Sequence, residues 1–252
     1  MRAPHLILLG LVSLIGTGSS WARGAEVPRR AEQLIVAVAD HWQTIHADLW
    51  CLEREGNGWR ATRDRPIPVL LGRTGLVWGS GVGQNPRGAR KVEGDGKTPA
   101  GIFRVGKVYG YASGMPSGSA DPRYPYNQVT ERDAWVDDPK NRYYNRHLEL
   151  RPGEKAPPWF ESQRMRLGDD AYEWRIEIRH NADPPRAGMG SVIFFHARRG
   201  VDLPSAGCTV MEKTDLVRII RWLRQSAKPH YVILPRAEYQ QLQGSWKLPP
   251  LP

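Results

Sequence analysis

Two side chains suited to acyl transfer stand twelve positions apart in this chain, His196 and Cys208. A thiol becomes a strong nucleophile only as the thiolate, and a neighbouring imidazole is the usual group that takes its proton. Gly207 precedes the thiol, so the backbone there can bend and leave room for a substrate carbonyl. The N–H groups from Ser205 to Cys208 can then face the oxyanion that forms. Ser205 is the weaker nucleophile candidate, because an elbow needs Gly two residues earlier and position 203 is Leu. Its hydroxyl is expected to hold the loop or touch substrate. His180, His196 and Cys208 are also zinc-ligand types. Their local spacings match no common site, so neither a metal nor a cofactor is expected.

The surrounding elements must bring these groups together. The run Val192-Ile193-Phe194-Phe195 reads as a short buried strand that ends on His196. A polar loop with Gly200 and Pro204 then returns the chain to Cys208. Upstream, Tyr172, Trp174, Ile176 and Ile178 alternate with Glu173, Arg175, Glu177 and Arg179, the pattern of a half-buried strand. Continuing that alternation places His180 on the apolar face, as a satisfied structural residue or as a group that orients His196. Further strands are expected at Leu34–Ala39, Asp48–Leu52, Gly58–Ala61, Ile67–Leu71 and Tyr231–Leu234, with a hairpin turn at Gly56-Asn57-Gly58. Thr214-Asp215 can cap a helix whose apolar side is Leu216, Ile219, Ile220 and Leu223, running to about Ala227.

The stretch at about 109–165 is long, aromatic and poor in periodicity. Its Tyr124, Tyr126, Trp135, Tyr143 and Tyr144 suit an ordered lid or cleft wall, and equally an extended core. Gly94-Asp95-Gly96-Lys97-Thr98 is no phosphate loop: position 91 is Lys where that motif needs Gly, and Pro99 opposes the required helix. It reads as a tight turn feeding an extended segment through Phe103. Together the elements give a mainly β fold with a few helices.

A strand-end His followed by Ser-x-Gly-Cys resembles the L,D-transpeptidase catalytic domain (YkuD type) of bacterial cell-wall enzymes. The segment Glu93 to Phe103, Tyr143-Tyr144-Asn145-Arg146 and Arg179-His180-Asn181 are similar to parts of the same family, and the resemblance spans about 32–235. Two positions depart from its pattern: Ala206 stands where His is frequent, and Val210 where Arg is frequent. The resemblance implies a curved β-sandwich core with a helix after the Cys loop. It implies Cys208 as nucleophile and His196 as base, with Ser205 and Gly207 positioning the oxyanion site. His180, Asn181 and Tyr144 are the candidates for contacting substrate or orienting His196. The implied substrate is a peptidoglycan tetrapeptide stem, cut before its terminal D-Ala, with transfer to an amine acceptor, to water or to a free D-amino acid. A wall-binding module without catalysis is the reading from another class; the presence of both His196 and Cys208 argues against it.

Arg2, the apolar stretch Leu6–Ile15 and Ser20-Trp21-Ala22 have the form of a cleaved export signal over 1–22. No later stretch is apolar enough to span a bilayer, so an exported protein of the periplasm or cell envelope is expected. Residues 23–31 read as a linker and 236–252 as a short helix with a loose tail. The formal charge is +10, and +9 without 1–22, which carries only Arg2. Such a balance favours anionic envelope polymers. Nucleic acid is not expected as a partner, because the basic residues are scattered and no binding motif appears. The chain is expected to act as a monomer. Two cysteines in an oxidising compartment raise a Cys51–Cys208 bridge, which would silence Cys208. A domain of this size needs no such staple, so Cys51 is expected as a packed thiol.

Overall fold

The run Gln33–Ala39 (β1) is buried at every position, and its Leu34 to Ala39 is the uninterrupted apolar sequence that the middle of a sheet calls for. The computed structural model describes residues 25–83 and 87–251, and the expected export signal lies outside them. Strands His46–Glu55 (β2), Gly58–Ala61 (β3) and Ile67–Leu70 (β4) follow, then Leu76–Trp78 (β5) and the long Thr98–Gly110 (β6). Short strands Tyr126–Gln128 (β7), Asp133–Trp135 (β8) and His147–Glu149 (β9) occupy the aromatic stretch. Trp174–Ile178 (β10), Phe194–Ala197 (β11) and Thr209–Met211 (β12) precede the helix Lys213–Trp222 (α1). The strand His230–Pro235 (β13) and the helix Arg236–Leu242 (α2) complete the order.

The fold is mainly β. The pairing order β1-β13-β6-β10-β11-β12-β4-β2 closes on itself, because β2 also pairs with β1. The expected sandwich-like sheet is therefore barrel-like. Strands β5 and β7 flank β6, and β3 extends β2 as the hairpin that the Gly56-Asn57-Gly58 turn predicts.

The strands β10 and β11 carry two different clusters on their two faces. Phe195 and Ile176 belong to the large core with Tyr231, Ile219 and Ile220. Phe194 points the other way, into a smaller cluster with Tyr109, Trp135, Val129 and Met165. Trp135 meets Phe194 edge-on at 4.9 Å and Tyr109 at 5.6 Å, so the aromatic stretch is a packed wall. This wall corrects the half-buried reading of β10. Both faces of β10 are covered, and Arg175 and Glu177 are buried with the apolar residues.

Two further expectations change. Helix α1 starts at Lys213 with Glu212 as N-cap and no side-chain capping bond, and it stops at Trp222, not near Ala227. Gln33 explains the stop: its Nε2 donates to the Trp222 carbonyl at 2.8 Å and its Oε1 accepts the Arg224 amide at 2.8 Å. The loose tail and linker are also packed. Trp246 is buried beside Trp78, its carbonyl accepts the Val27 amide at 2.8 Å, and Ala25 and Ala31 are buried. Among the described residues no helix is long and apolar enough to cross a membrane.

Candidate active site

Register decides which side chains share the site. Tyr109 of β6 pairs with Arg175 of β10, Arg175 with His196 of β11, and His196 with Val210 of β12. These residues form one row across the sheet. Cys208 precedes Val210 by two, and alternation puts it on the same face. Cys208 packs against the Phe194–Trp135 wall together with Val192. The 109–165 stretch thus covers the face on which the thiol and the imidazole lie.

His196 is buried and stacks on Tyr172 with ring centroids 4.4 Å apart. Its Nδ1 bonds the Ala197 carbonyl at 2.9 Å. A carbonyl only accepts, so Nδ1 carries the proton and Nε2 keeps its lone pair. The orienting group for His196 is therefore backbone. Nε2 itself is buried without a hydrogen bond among the described residues. Burial pushes the His196 pKa down to about 4, against the Ala197 carbonyl and with Arg199 and Arg175 reinforcing.

The Cys208 thiol lies between two main-chain groups. The Phe194 N–H donates to Sγ at 3.4 Å, and Sγ–H points to the Val192 carbonyl at 3.5 Å. Burial pushes its pKa up to about 11, opposed by the Phe194 amide and by the cations of Lys91, Arg175 and Arg199. The resting pair is thus a neutral thiol and a neutral imidazole, with no hydrogen bond between them. Val192 adopts φ 56°, rare for a β-branched residue, so the bend facing the thiol is held against a backbone preference.

Ser205 holds the loop. Its Oγ donates to the Cys208 carbonyl at 2.6 Å and accepts the Gly207 amide at 2.9 Å. Its backbone zips to Leu71 and Arg73. With the Ser205 N–H given to the Leu71 carbonyl and the Gly207 N–H to Ser205 Oγ, the Ala206 and Cys208 N–H groups are the loop amides left for an oxyanion. Gly207 has φ 151°, and a Cβ there would lie 2.9 Å from the Lys97 carbonyl, so glycine is required for the close approach. The turn of 94–98 lies beneath: Thr98 Oγ1 accepts the Gly72 amide at 2.8 Å and donates to the Cys208 carbonyl at 3.4 Å. Buried Lys91 pairs with Asp95 of that turn.

The remaining candidates form a scaffold around these groups. His180 lies against Phe103 of the large core, with ring centroids 5.8 Å apart. Its Nδ1 accepts the Ser80 amide at 3.1 Å and its Nε2 donates to the Met189 carbonyl at 2.9 Å. Both nitrogens are spent, and no hydrogen bond reaches His196 or Cys208. Burial pushes its pKa down to about 4. Asn181 Nδ2 donates to the Arg186 and Gly190 carbonyls, each at 2.9 Å. Tyr144 donates to the Glu93 carboxylate, which Ser191 Oγ also reaches at 2.7 Å. Among the described residues no group of three His, Cys, Asp or Glu side chains is placed to hold a metal ion. Both cysteines are free, and burial pushes the Cys51 thiol up to about 12.

Sequence reasoning passed over three residues that shape this site. In the sequence Tyr172 reads with the apolar set, Arg175 with the solvent face, and Asn145 only as part of the Tyr143–Arg146 stretch. A charged residue in a strand that an aromatic insertion can cover is the one signal for Arg175.

A mainly β sheet that sets a Cys and a His on one face of adjacent strands has the parts of an acyl-transfer enzyme. The family model of the L,D-transpeptidase catalytic domain (YkuD) matches residues 55–232, more than half of the chain, and the chain belongs to that family. It is an L,D-transpeptidase-type catalytic domain, of a family that acts on peptidoglycan stem peptides. No match was found among curated proteins or among solved structures.

Proposed function

We propose that this chain is an exported peptidoglycan L,D-transpeptidase with Cys208 as nucleophile and His196 as general base. The observation that carries this reading is the His196 ring: its proton is fixed on Nδ1, and its open Nε2 lies on the face that Cys208 shares. In the first half-reaction Sγ attacks the carbonyl before the terminal D-Ala of a tetrapeptide stem. The thiol proton passes to Nε2 as the S–C bond forms, and the Cys208 N–H faces the oxyanion. Collapse breaks the C–N bond, and the imidazolium returns the proton to the departing D-Ala amine. The thioester then waits for an amine, which attacks through the same proton route and regenerates the thiol.

A neutral resting pair suits this sequence. The proton moves only when a carbonyl is present to accept the sulfur, so the thiol stays unreactive between turnovers. Export fits the substrate, and the 1–22 segment with its Ser20-Trp21-Ala22 end supports it.

The test is intact mass after mixing the protein with a tetrapeptide stem. Wild type is expected to gain a thioester adduct and release D-Ala. Cys208→Ala is expected to show no adduct, and His196→Ala a slower one. An adduct that persists in Cys208→Ala, or none in wild type, overturns the reading. Adding a stem amine then separates transfer from hydrolysis.

A further inference from the structure

Arg175 is a buried cation with no carboxylate partner among the described residues. Only 3 % of the residue is exposed, and its Nη1 donates to the Met165 carbonyl at 3.0 Å. Its Nε and Nη2 are buried and make no hydrogen bond among the described residues. Asp133, a carboxylate whose charge acts on it, is taken by His147 at 2.7 Å and by Thr130. A guanidinium left buried and unpaired is strongly unfavourable, so it calls for a partner.

The two open donors are not scattered. Nε and Nη2 form one edge of the guanidinium fork, the edge that meets a carboxylate with two parallel hydrogen bonds. Tyr111 and Tyr172 place their rings 5.8 and 5.5 Å from the Arg175 Cζ, which fixes the plane of the fork. Tyr172 also stacks on His196, and Arg175 is the direct register partner of His196. The guanidinium and the imidazole thus lie on one face of the sheet, each against the Tyr172 ring. A peptide whose scissile carbonyl reached Cys208 would carry its terminal carboxylate three bonds further on; β10 lies two strands from β12, roughly 10 Å across the same face, a gap that the peptide's terminal residue and the long Arg175 side chain span together.

We propose that the open edge of Arg175 binds a carboxylate of the donor peptide and so selects donors that carry it. This rests on the transpeptidase reading above. The source of the carboxylate is the C-terminus of the departing residue or a side-chain carboxyl of the stem. The segment from Met165 to Tyr172 borders the guanidinium: the Met165 carbonyl holds Nη1, Tyr172 lies near the fork, and Asp169 pairs with Arg199 at 2.6 Å.

The experiment measures cleavage by the full chain of three peptides: the free tetrapeptide stem, its C-terminal amide, and a form with the side-chain carboxyls amidated. Wild type is expected to prefer the free stem in kcat/KM by about 10- to 100-fold over one of the two amidated forms, and which form fails identifies the source. In Arg175→Gln that preference disappears, with KM rising more than kcat falls; Arg175→Lys keeps a smaller preference. Equal cleavage of all three peptides by wild type overturns the inference and leaves the transpeptidase reading intact. No cleavage of any of them overturns both. If Arg175→Gln fails to fold, the wild-type ratio decides alone. A folded Arg175→Gln that keeps the full preference also overturns the inference.

Discussion

Asn145 Oδ1 accepts the Val192 amide at 3.1 Å, and so pins the bend whose carbonyl faces the Cys208 thiol. The same side chain donates through Nδ2 to the His180 and Asn181 carbonyls at 3.0 and 2.8 Å, and its Oδ1 also accepts Trp135 Nε1 at 3.2 Å. One amide thus ties the insertion, the end of β10 and the approach to β11 together. Asn145 sits at φ 53°, a conformation that Asn tolerates better than most residues.

Asn145→Ala leaves several buried groups unpaired, and a loss of about 3 kcal/mol or more in urea unfolding is expected. Asn145→Asp has the same shape but sets an acceptor against two carbonyls, and should be at least as unstable. A cost below about 0.5 kcal/mol for both, as on an open surface, would contradict this role.

Acid should weaken the fold between pH 6.5 and 4. His180 and His196 have folded pKa values lowered to about 4 from 6.5. In that window the unfolded chain binds protons that the folded chain refuses, so stability is full above 6.5 and falls as pH drops through the window. Each residue contributes about 3 kcal/mol at most. His196→Gln is expected to flatten the pH dependence of chemical unfolding, and an unchanged slope would show that His196 titrates normally.

Alkylation reports on the thiol. With its pKa pushed up to about 11, Cys208 in the free protein should react slowly with iodoacetamide at pH 7. The rate should rise about tenfold per pH unit from 7 towards 10, as expected for a thiol below its pKa. A rate that is already high and flat between pH 6 and 8 would instead reveal a preformed thiolate–imidazolium pair.

The C-terminal segment should be part of the stable unit. Trp246 is 2 % exposed, and Tyr239 donates to the Pro249 carbonyl at 2.8 Å. Trp246→Ala is expected to cost about 3–5 kcal/mol in unfolding experiments. A negligible change would mean that the segment is only loosely attached.

Local patterns carried much of the fold. Strands β1, β2, β4, β11 and β13 follow from short apolar runs, and the β2–β3 hairpin from its turn residues, because these signals act within a few residues. The sequence alone also singled out His196, Gly207 and Cys208, since a thiol, an imidazole and a glycine at this spacing are the residue types that acyl transfer would use. It could not tell that β10 is buried on both faces. That burial depends on a wall contributed by Tyr109, Trp135 and Met165, which only tertiary packing sets against Phe194. Once covered, Arg175 changed from a solvent-facing charge into a buried cation, register partner of His196, that has no acidic partner among the described residues. His180 and Asn181 changed from site candidates into scaffold, because their polar atoms are used by Ser80, Arg186, Met189 and Gly190. The tail and the end of α1 were settled in the same way, through Trp78 and Gln33, partners more than 150 positions away in the chain. Side-chain periodicity records which way a residue points; what later covers that face is decided by segments the pattern does not contain.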